Sequence, residues 1–197
     1  GLEKAEQNIG DGISMVQTAE GALGAIQDNV QRIRELVVQS SNGTNVRNEL
    51  NAIQREINAR VTTIEDIGDN TTFNGINLLD GTAGTAGIVT LQTGSDNGQT
   101  TTIDFNNLEI DIDSNGVAGS MGENLAYNLS DLKITDNNAA SVGSEAVPGT
   151  GAVAPSAAPL TELDDVLDTL STMRSTLGAI QNSLESKAEY LNVAREN

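Results

Sequence analysis

The residues whose spacing could do chemistry are few, and all are acids, amides or hydroxyls. Asp111-x-Asp113-x-Asn115-Gly116 begins like a calcium-binding loop, with oxygen ligands at alternate positions and a glycine at the sharp turn. The twelfth position, where a bidentate glutamate closes such a loop, is Gly122, and Glu123 stands one step too far along. The segment therefore reads as an acidic hairpin turn, and no metal ligand is assigned. Adjacent acids at Glu65/Asp66 and Asp164/Asp165 raise the chemistry of paired carboxylates. Neighbours along a helix point apart, however, and acids near a helix start are favoured by the helix dipole. Asn42-Gly43-Thr44, Asn70-Thr71-Thr72 and Asn128-Leu129-Ser130 fit the N-glycosylation pattern, which is short enough to arise by chance.

Composition narrows the chemistry further. The chain of 197 residues has no Cys, His or Trp, and only two Phe and two Tyr. Zinc sites built on Cys or His are excluded, as are Ser-His-Asp and Cys-His nucleophile systems. The usual general base near neutral pH is missing too. No catalytic residue and no cofactor is assigned, and the expectation is a protein that is not an enzyme. Ten Lys and Arg against 28 Asp and Glu give a net charge of -18. Such a surface repels nucleic acid and anionic membranes, and suits a soluble chain that stays monomeric until something specific assembles it. No apolar run approaches the length of a membrane span, and no signal peptide is visible. The sequence lacks an initiator Met and ends at Arg195-Glu196-Asn197 inside a helical pattern, so it reads as a fragment whose ends continue in a parent protein.

The elements that must position these residues are helices. From Thr18 to Ser40 the apolar residues Ala19, Leu23, Ile26, Val30, Ile33 and Val37 recur in steps of 4, 3, 4, 3 and 4, a coiled-coil seam. The spacing predicts a first helix from about Ile13 to Ser41, after a lead-in from Gly1 to Gly12 with Asp11 as its cap. Gly21 and Gly24 each cost about 1 kcal/mol against Ala, which predicts a neighbouring backbone packed closely there. A turn at residues 41–45, with Gly43 as a left-handed cap, leads to a second helix, about Val46 to Ile67. Its seam is Leu50, Ile53, Ile57, Val61 and Ile64, with Asn45 or Thr44 as cap. So short a loop makes the two helices antiparallel neighbours. Gly68 to Asn77 is rich in turn-forming Asn and Gly. Phe73 should plug the end of the helix pair, and Ile76, Leu78 and Leu79 should continue the contact.

From Gly87 the period changes. Residues 88–92 and 100–105 flank the turn Gly94-Ser95-Asp96-Asn97-Gly98 and predict a β-hairpin. Residues 108–113 and 132–135 could add strands. Asp136 to Pro159 is a low-complexity Ala/Gly/Ser/Pro stretch that holds all three prolines and reads as a long exposed loop. A third helix starts at about Leu160, capped by Thr161 with Asp164 and Asp165 in its first turn, and runs to the end. Its seam is Leu163, Leu167, Leu170, Leu177, Leu184, Ala188 and Leu191, flanked by Val166, Met173 and Ile180. That width should let it touch both other helices, and Arg174, which interrupts the seam, should pair with one of them. The fold class is mainly α: an elongated antiparallel helical rod of two N-terminal helices and one long C-terminal helix, with a small β-hairpin excursion. Both termini leave from one end. The divisions are 1–114 for the N-terminal part of the rod, 115–158 for an exposed variable loop, and 159–197 for the returning helix.

Asn8-Ile9-Gly10-Asp11-Gly12-Ile13-Ser14, Gln17-Thr18-Ala19-Glu20-Gly21-Ala22-Leu23 and the run from Gln31 to Gln39 (QRIRELVVQ) resemble bacterial flagellin. So do Phe73-Asn74-Gly75 followed by Leu78-Leu79, and, in the returning helix, Met173 to Asn182 (MRSTLGAIQN). The resemblance covers about residues 1–105 and 159–185 in family order. Beyond Gln181-Asn182 the sequence departs, with Ser183-Leu184 where the family has a basic residue and Phe.

The resemblance implies a structural subunit of the bacterial flagellar filament, secreted and extracellular, serving motility by self-assembly. The implied partners are copies of itself, a flagellar export chaperone and the filament cap. The family's terminal polymerisation helices are missing from this sequence, so the fragment itself should be monomeric. The hook–filament junction protein, which shares the helical rod, is the alternative. The resemblance also implies recognition by host Toll-like receptor 5, through Arg32, Leu36 and Gln39 on the first helix and Glu56 on the second. The three first-helix positions are spaced i, i+4, i+7 and share a face, and Arg32 and Leu36 sit beside the seam, where an outward or boundary placement is expected.

Overall fold

The computed structural model describes residues 1–42, 45–94, 96, 98–105 and 158–196. In chain order the elements are α1 (Leu2–Ser40), α2 (Arg47–Asn70), β1 (Thr72–Phe73), β2 (Ile76–Asn77), β3 (Ile88–Gln92), β4 (Thr100–Asp104) and α3 (Ala158–Glu196). The expected strands at 108–113 and 132–135, the calcium-like loop, Gly43, Thr44 and the Asn128 site lie outside the described residues.

The spine is α1, whose 39 residues span about 58 Å at 1.5 Å per residue. Its seam is longer than the sequence suggested. Ala5, Ile9, Gly12, Val16, Ala19, Leu23, Ile26, Val30, Ile33, Val37 and Ser40 are all buried, in unbroken steps of four and three. The expected lead-in and the Asp11 cap are thus wrong, because Asp11 lies inside the helix. Gly10 and Gly12 look like helix terminators, but Gly12 is a seam position. A Cβ there would strike the Leu91 Cδ1 methyl and lie 3.3 Å from Leu184 Cδ1 and 3.7 Å from Ile103 Cδ1. Glycine is kept because a hairpin and a helix converge on it. Gly21 and Gly24 are the reverse case: a Cβ at either would meet nothing within 4 Å, so no backbone packs closely there.

Along one side α1 is covered by α3, which runs antiparallel to it. Cross-links mark the register: Arg34–Asp164 at 2.7 Å near one end, Arg174–Gln27 at 2.7 Å in the middle, and Arg195–Glu6 at 2.9 Å near the other. The last pair places the start of α1 beside the end of α3, as expected. The observed α3 seam takes Leu163, Val166, Leu170, Met173, Leu177, Leu184 and Leu191 to burial, with Leu167, Ile180 and Ala188 partly covered. Val166 and Met173 therefore belong to the core, not to its flank. The helix starts at Ala158, so Pro159 stands in its first turn, where proline's missing N–H has no intrahelical partner to lose. Thr161 is accordingly not its cap, and Asp164 and Asp165 fall beyond the first turn.

Along its other side α1 carries α2 and then the strands. α2 is antiparallel to α1 and buries Ile53, Ile57, Ile64 and Gly68 against it. It begins after Val46, whose backbone N–H donates to Glu49 Oε2 at 3.0 Å; the expected cap Asn45 instead donates its side-chain amide to the Gln39 carbonyl at the end of α1. The wide contact expected between α3 and both other helices does not form: each flanking helix packs principally on α1. Past α2, β1 and β2 make a two-residue hairpin with Asn74 (φ 50°) and Gly75 (φ 78°) at its tip, the positive-φ pair of a type I′ turn. Phe73 and Ile76 pack on the core, and Leu78 and Leu79 are fully buried beneath. The second hairpin, β3 with β4, pairs Val89 with Ile103 and Leu91 with Thr101. It docks on α1 through the Asn8 side chain, which donates to the Gln92 carbonyl at 2.9 Å, and on α3 through Lys187, which donates to Thr101.

Candidate functional site: a groove between the first two helices

Arg32, Leu36, Gln39 and Glu56 come together in the structure. They line one groove of about 340 Å³ between α1 and α2, with Asn45, Glu49, Ala52 and Ile53. Two heptad-like rows face each other. Arg32, Leu36 and Gln39 run along α1, while Glu49, Ala52, Ile53 and Glu56 run back along α2 at the same helical spacing. The antiparallel packing of α1 and α2 makes the rows coincide.

The groove is charged along its lip and apolar at its floor. Arg32 Nε donates to Glu56 Oε1 at 3.1 Å across the helix pair, and Nη1 donates to Glu35 Oε2 at 2.9 Å along its own helix. Glu56 Oε1 also lies 3.6 Å from Arg60 Nη2, and Arg60 Nη1 donates to Asn29 Oδ1 at 3.0 Å. Hydrogen bonds from Arg32 to Glu35 and then Glu56 push the guanidinium further above its ordinary value, so it is charged at every relevant pH. The Arg32 and Glu56 side chains remain 42% and 39% exposed, which leaves both available to a partner. Gln39 is exposed as well.

Leu36 departs from its expected outward or boundary placement, at only 1% exposure. It stands one step off the seam, on the side where Ile53 arrives from α2, so α1 buries both Leu36 and Val37. Leu36 forms the floor and not the lip. Of the α2 members, Glu49 and Ala52 were not singled out from sequence, and Ile53 was read as a seam residue only. Their i, i+3, i+4, i+7 spacing with Glu56 was visible, but nothing in it told which α1 residues they would face.

Asp164 is tied to Arg34, and that guanidinium's hydrogen bond and charge hold its carboxyl below the usual value of 3.8. Among the described residues no group of three or more acids is arranged to hold a metal. Asn70 closes α2, its amide donating to the Asp66 carbonyl at 2.8 Å. Arg174, expected to pair with another helix, reaches α1 at Gln27 (2.7 Å) and Glu20 (3.7 Å). Among the described residues no helix is long and apolar enough to cross a membrane.

The class the fold defines is an antiparallel helical rod with two hairpins laid along its spine and an open groove between its first two helices. Comparison with known proteins makes the class specific. Residues 1–84 match the family described as the bacterial flagellin N-terminal helical region. The chain is 36% identical over 193 residues to a flagellin of Escherichia coli O127:H6, covering 96% of this chain and 33% of that protein. It is 36% identical over 197 residues to a flagellin of Halalkalibacterium halodurans, covering 100% of this chain and 61% of the other. The crystal structure of Bacillus cereus flagellin superposes with a TM-score of 0.65 at 22% identity, over 94% of this chain and 88% of that one. The chain belongs to the bacterial flagellin family, which is structural and not enzymatic. It spans from about a third to three fifths of the length of these two curated relatives.

Proposed function

We propose that this chain is the rod portion of a structural subunit of the bacterial flagellar filament, exported from the cell and assembled with copies of itself for motility. The observation that carries the reading is similarity to flagellins along nearly the whole chain, including α3 as well as the N-terminal helices. Residues 1–114 and 159–197 form one rod in this reading, and 115–158 stands where a variable outer region is inserted. An export chaperone and the filament cap are the further bacterial partners. The test uses the full-length protein that carries this chain: purified monomer is mixed with short filament seeds and imaged by electron microscopy. Long uniform filaments are expected. Short caps, or no growth, would transfer the assignment to the hook–filament junction protein or to a binding module.

The groove of Arg32, Leu36, Gln39 and Glu56 is, in the same reading, the surface met by host Toll-like receptor 5. Its support is geometric: the four residues that the resemblance implies line one groove, with an ion pair at its lip and an apolar floor. Arg32→Ala and Gln39→Ala, both at exposed or half-exposed positions, should lower receptor signalling by full-length protein while leaving its helicity intact. Unchanged signalling in both variants would remove the receptor assignment. Leu36→Ala is a poor probe, because a buried leucine supports the rod as well as the groove.

A further inference from the structure

Asparagine is thermolabile because the main-chain nitrogen of the next residue can attack its side-chain carbonyl carbon. Hydrogen bonds at two points hinder that attack: one on the side-chain amide, one on the following N–H. Asn70 has both. Its amide donates to the Asp66 carbonyl at 2.8 Å, and the Thr71 N–H donates to the Ile67 carbonyl at 3.1 Å. Asn77 has both as well. Its amide donates to Asp80 Oδ2 at 2.6 Å, and the Leu78 N–H donates to the Thr71 carbonyl at 2.9 Å.

Asn74, between them, has neither. It is exposed at the tip of the β1–β2 hairpin, and among the described residues its side chain makes no hydrogen bond. The Gly75 N–H is also unbonded, because the strands pair through Phe73 and Ile76 on either side of it. Glycine brings no Cβ to obstruct the approach. Attack requires the tip to leave its left-handed conformation, with Asn74 at φ 50° and Gly75 at φ 78°. The strands that hold it are two residues each, and so short a hairpin opens at little cost.

We propose that Asn74 deamidates spontaneously in the folded chain, and that isoaspartate formed there undoes the β1–β2 turn. The Gly75 nitrogen bonds to Asn74 Cγ and closes a succinimide ring. The bond from Cγ to Nδ2 breaks, and ammonia leaves with the proton that the Gly75 nitrogen gave up. Water then opens the ring at either carbonyl. Opening at Cγ leaves aspartate on an unaltered main chain, and aspartate accepts a left-handed φ as asparagine does. Opening at the main-chain carbonyl leaves isoaspartate, whose peptide link runs through the side chain and is one methylene longer. A two-residue loop cannot take up that length and keep Phe73 opposite Ile76. Both residues pack on the core, so the hairpin is unseated with them. The inference does not depend on the filament reading.

The experiment incubates the unsubstituted chain at mildly alkaline pH, folded and in urea, and maps the amide-to-acid conversion by peptic digestion and mass spectrometry. In the folded chain Asn74 should convert at least roughly tenfold faster than Asn70 or Asn77, and at no less than about a tenth of its own rate in urea. An Asn74 no faster than Asn77 would overturn the proposal. So would an Asn74 that reacts in urea and stays intact in the folded chain, since the turn would then protect it. The aged protein is next separated into aspartate and isoaspartate forms, with Asn74→Asp as the reference. The isoaspartate form should melt a few degrees lower than the reference, on the order of 2–4 °C. Equal melting of the two would overturn the claim that the turn is undone.

Discussion

Gly12 offers a sharp test of how the hairpin is seated on the helix pair. In a helix interior, replacing glycine by alanine stabilises by about 1 kcal/mol when the new methyl has room. At Gly21 it has room, with nothing within 4 Å, so Gly21→Ala should deliver most of that gain. At Gly12 the same methyl enters the space held by the end of Leu91 and crowds Leu184 at 3.3 Å. Leu91 is only half buried and can turn aside, at an off-rotamer cost of about 0.5–1.5 kcal/mol. The helix gain and this cost nearly cancel, so Gly12→Ala should be neutral to mildly destabilising. The two variants then differ by that cost, roughly 0.5–1.5 kcal/mol, or about 1–6 °C in Tm for a chain of this size. Thermal melts of the monomer followed by circular dichroism would read the difference. Shortening Leu91 removes the obstacle. In a Leu91→Ala background, Gly12→Ala should therefore turn stabilising by about 0.5–1 kcal/mol, a coupling that a double-mutant cycle isolates. If Gly12→Ala in the otherwise unsubstituted chain raises Tm as much as Gly21→Ala does, the close approach of Leu91 is not real and the docking described above is wrong.

Three further outcomes are expected. Leu170→Ala, at a fully buried position of the α3 seam, should cost about 2–5 kcal/mol, while Val193→Ala, 58% exposed on the same helix, should stay within about 0.5 kcal/mol; urea unfolding of both would show it. Asp164 has a folded pKa lowered by Arg34, so its contribution is present above the ordinary carboxylate pKa of 3.8 and is lost as pH falls through the lower folded value. The stability gap between the unsubstituted chain and Asp164→Asn should thus narrow on acidification below 3.8, and a gap that widens there would contradict the Arg34 contact. Because this 197-residue portion carries a net charge of -18, full-length protein should elongate seeds better as salt rises, since screening weakens repulsion between copies; light scattering across a salt series would detect the opposite trend.

What could be read from the sequence follows from what periodicity encodes. The α2 seam and most of the α1 seam were visible because their apolar steps of three and four repeat without interruption. The start of α1 was hidden because Gly10, Asp11 and Gly12 have the local chemistry of a helix boundary. Only the approach of Leu91, roughly eighty residues later in the chain, shows Gly12 to be a packing position. The same limit produced the opposite error at Gly21 and Gly24, where a cost in helix propensity implied a neighbour that is not there. On α3 the two stripes were visible, but choosing Val166 and Met173 for the core required knowing that one helix, not two, would cover them.

The groove was legible on one wall only. Helical spacing puts Arg32, Leu36 and Gln39 on a common face whatever the fold. It cannot say that Glu56 lies opposite Arg32, because that depends on the antiparallel register of α2 on α1. In that register the sequence numbers of facing residues add to a near constant: Arg32 meets Glu56, and Asn29 meets Arg60. The register also decides the fate of Leu36. A residue one step off a seam is covered or exposed according to the side on which the second helix arrives, and Ile53 arrives on the side of Leu36. The groove's apolar floor and its charged lip are thus two consequences of one antiparallel register. A change of register there, by one residue inserted in 41–46, would separate Arg32 from Glu56 and uncover Leu36 together. Loss of the ion pair with Leu36 still buried would show that the floor is held by the helix seams alone.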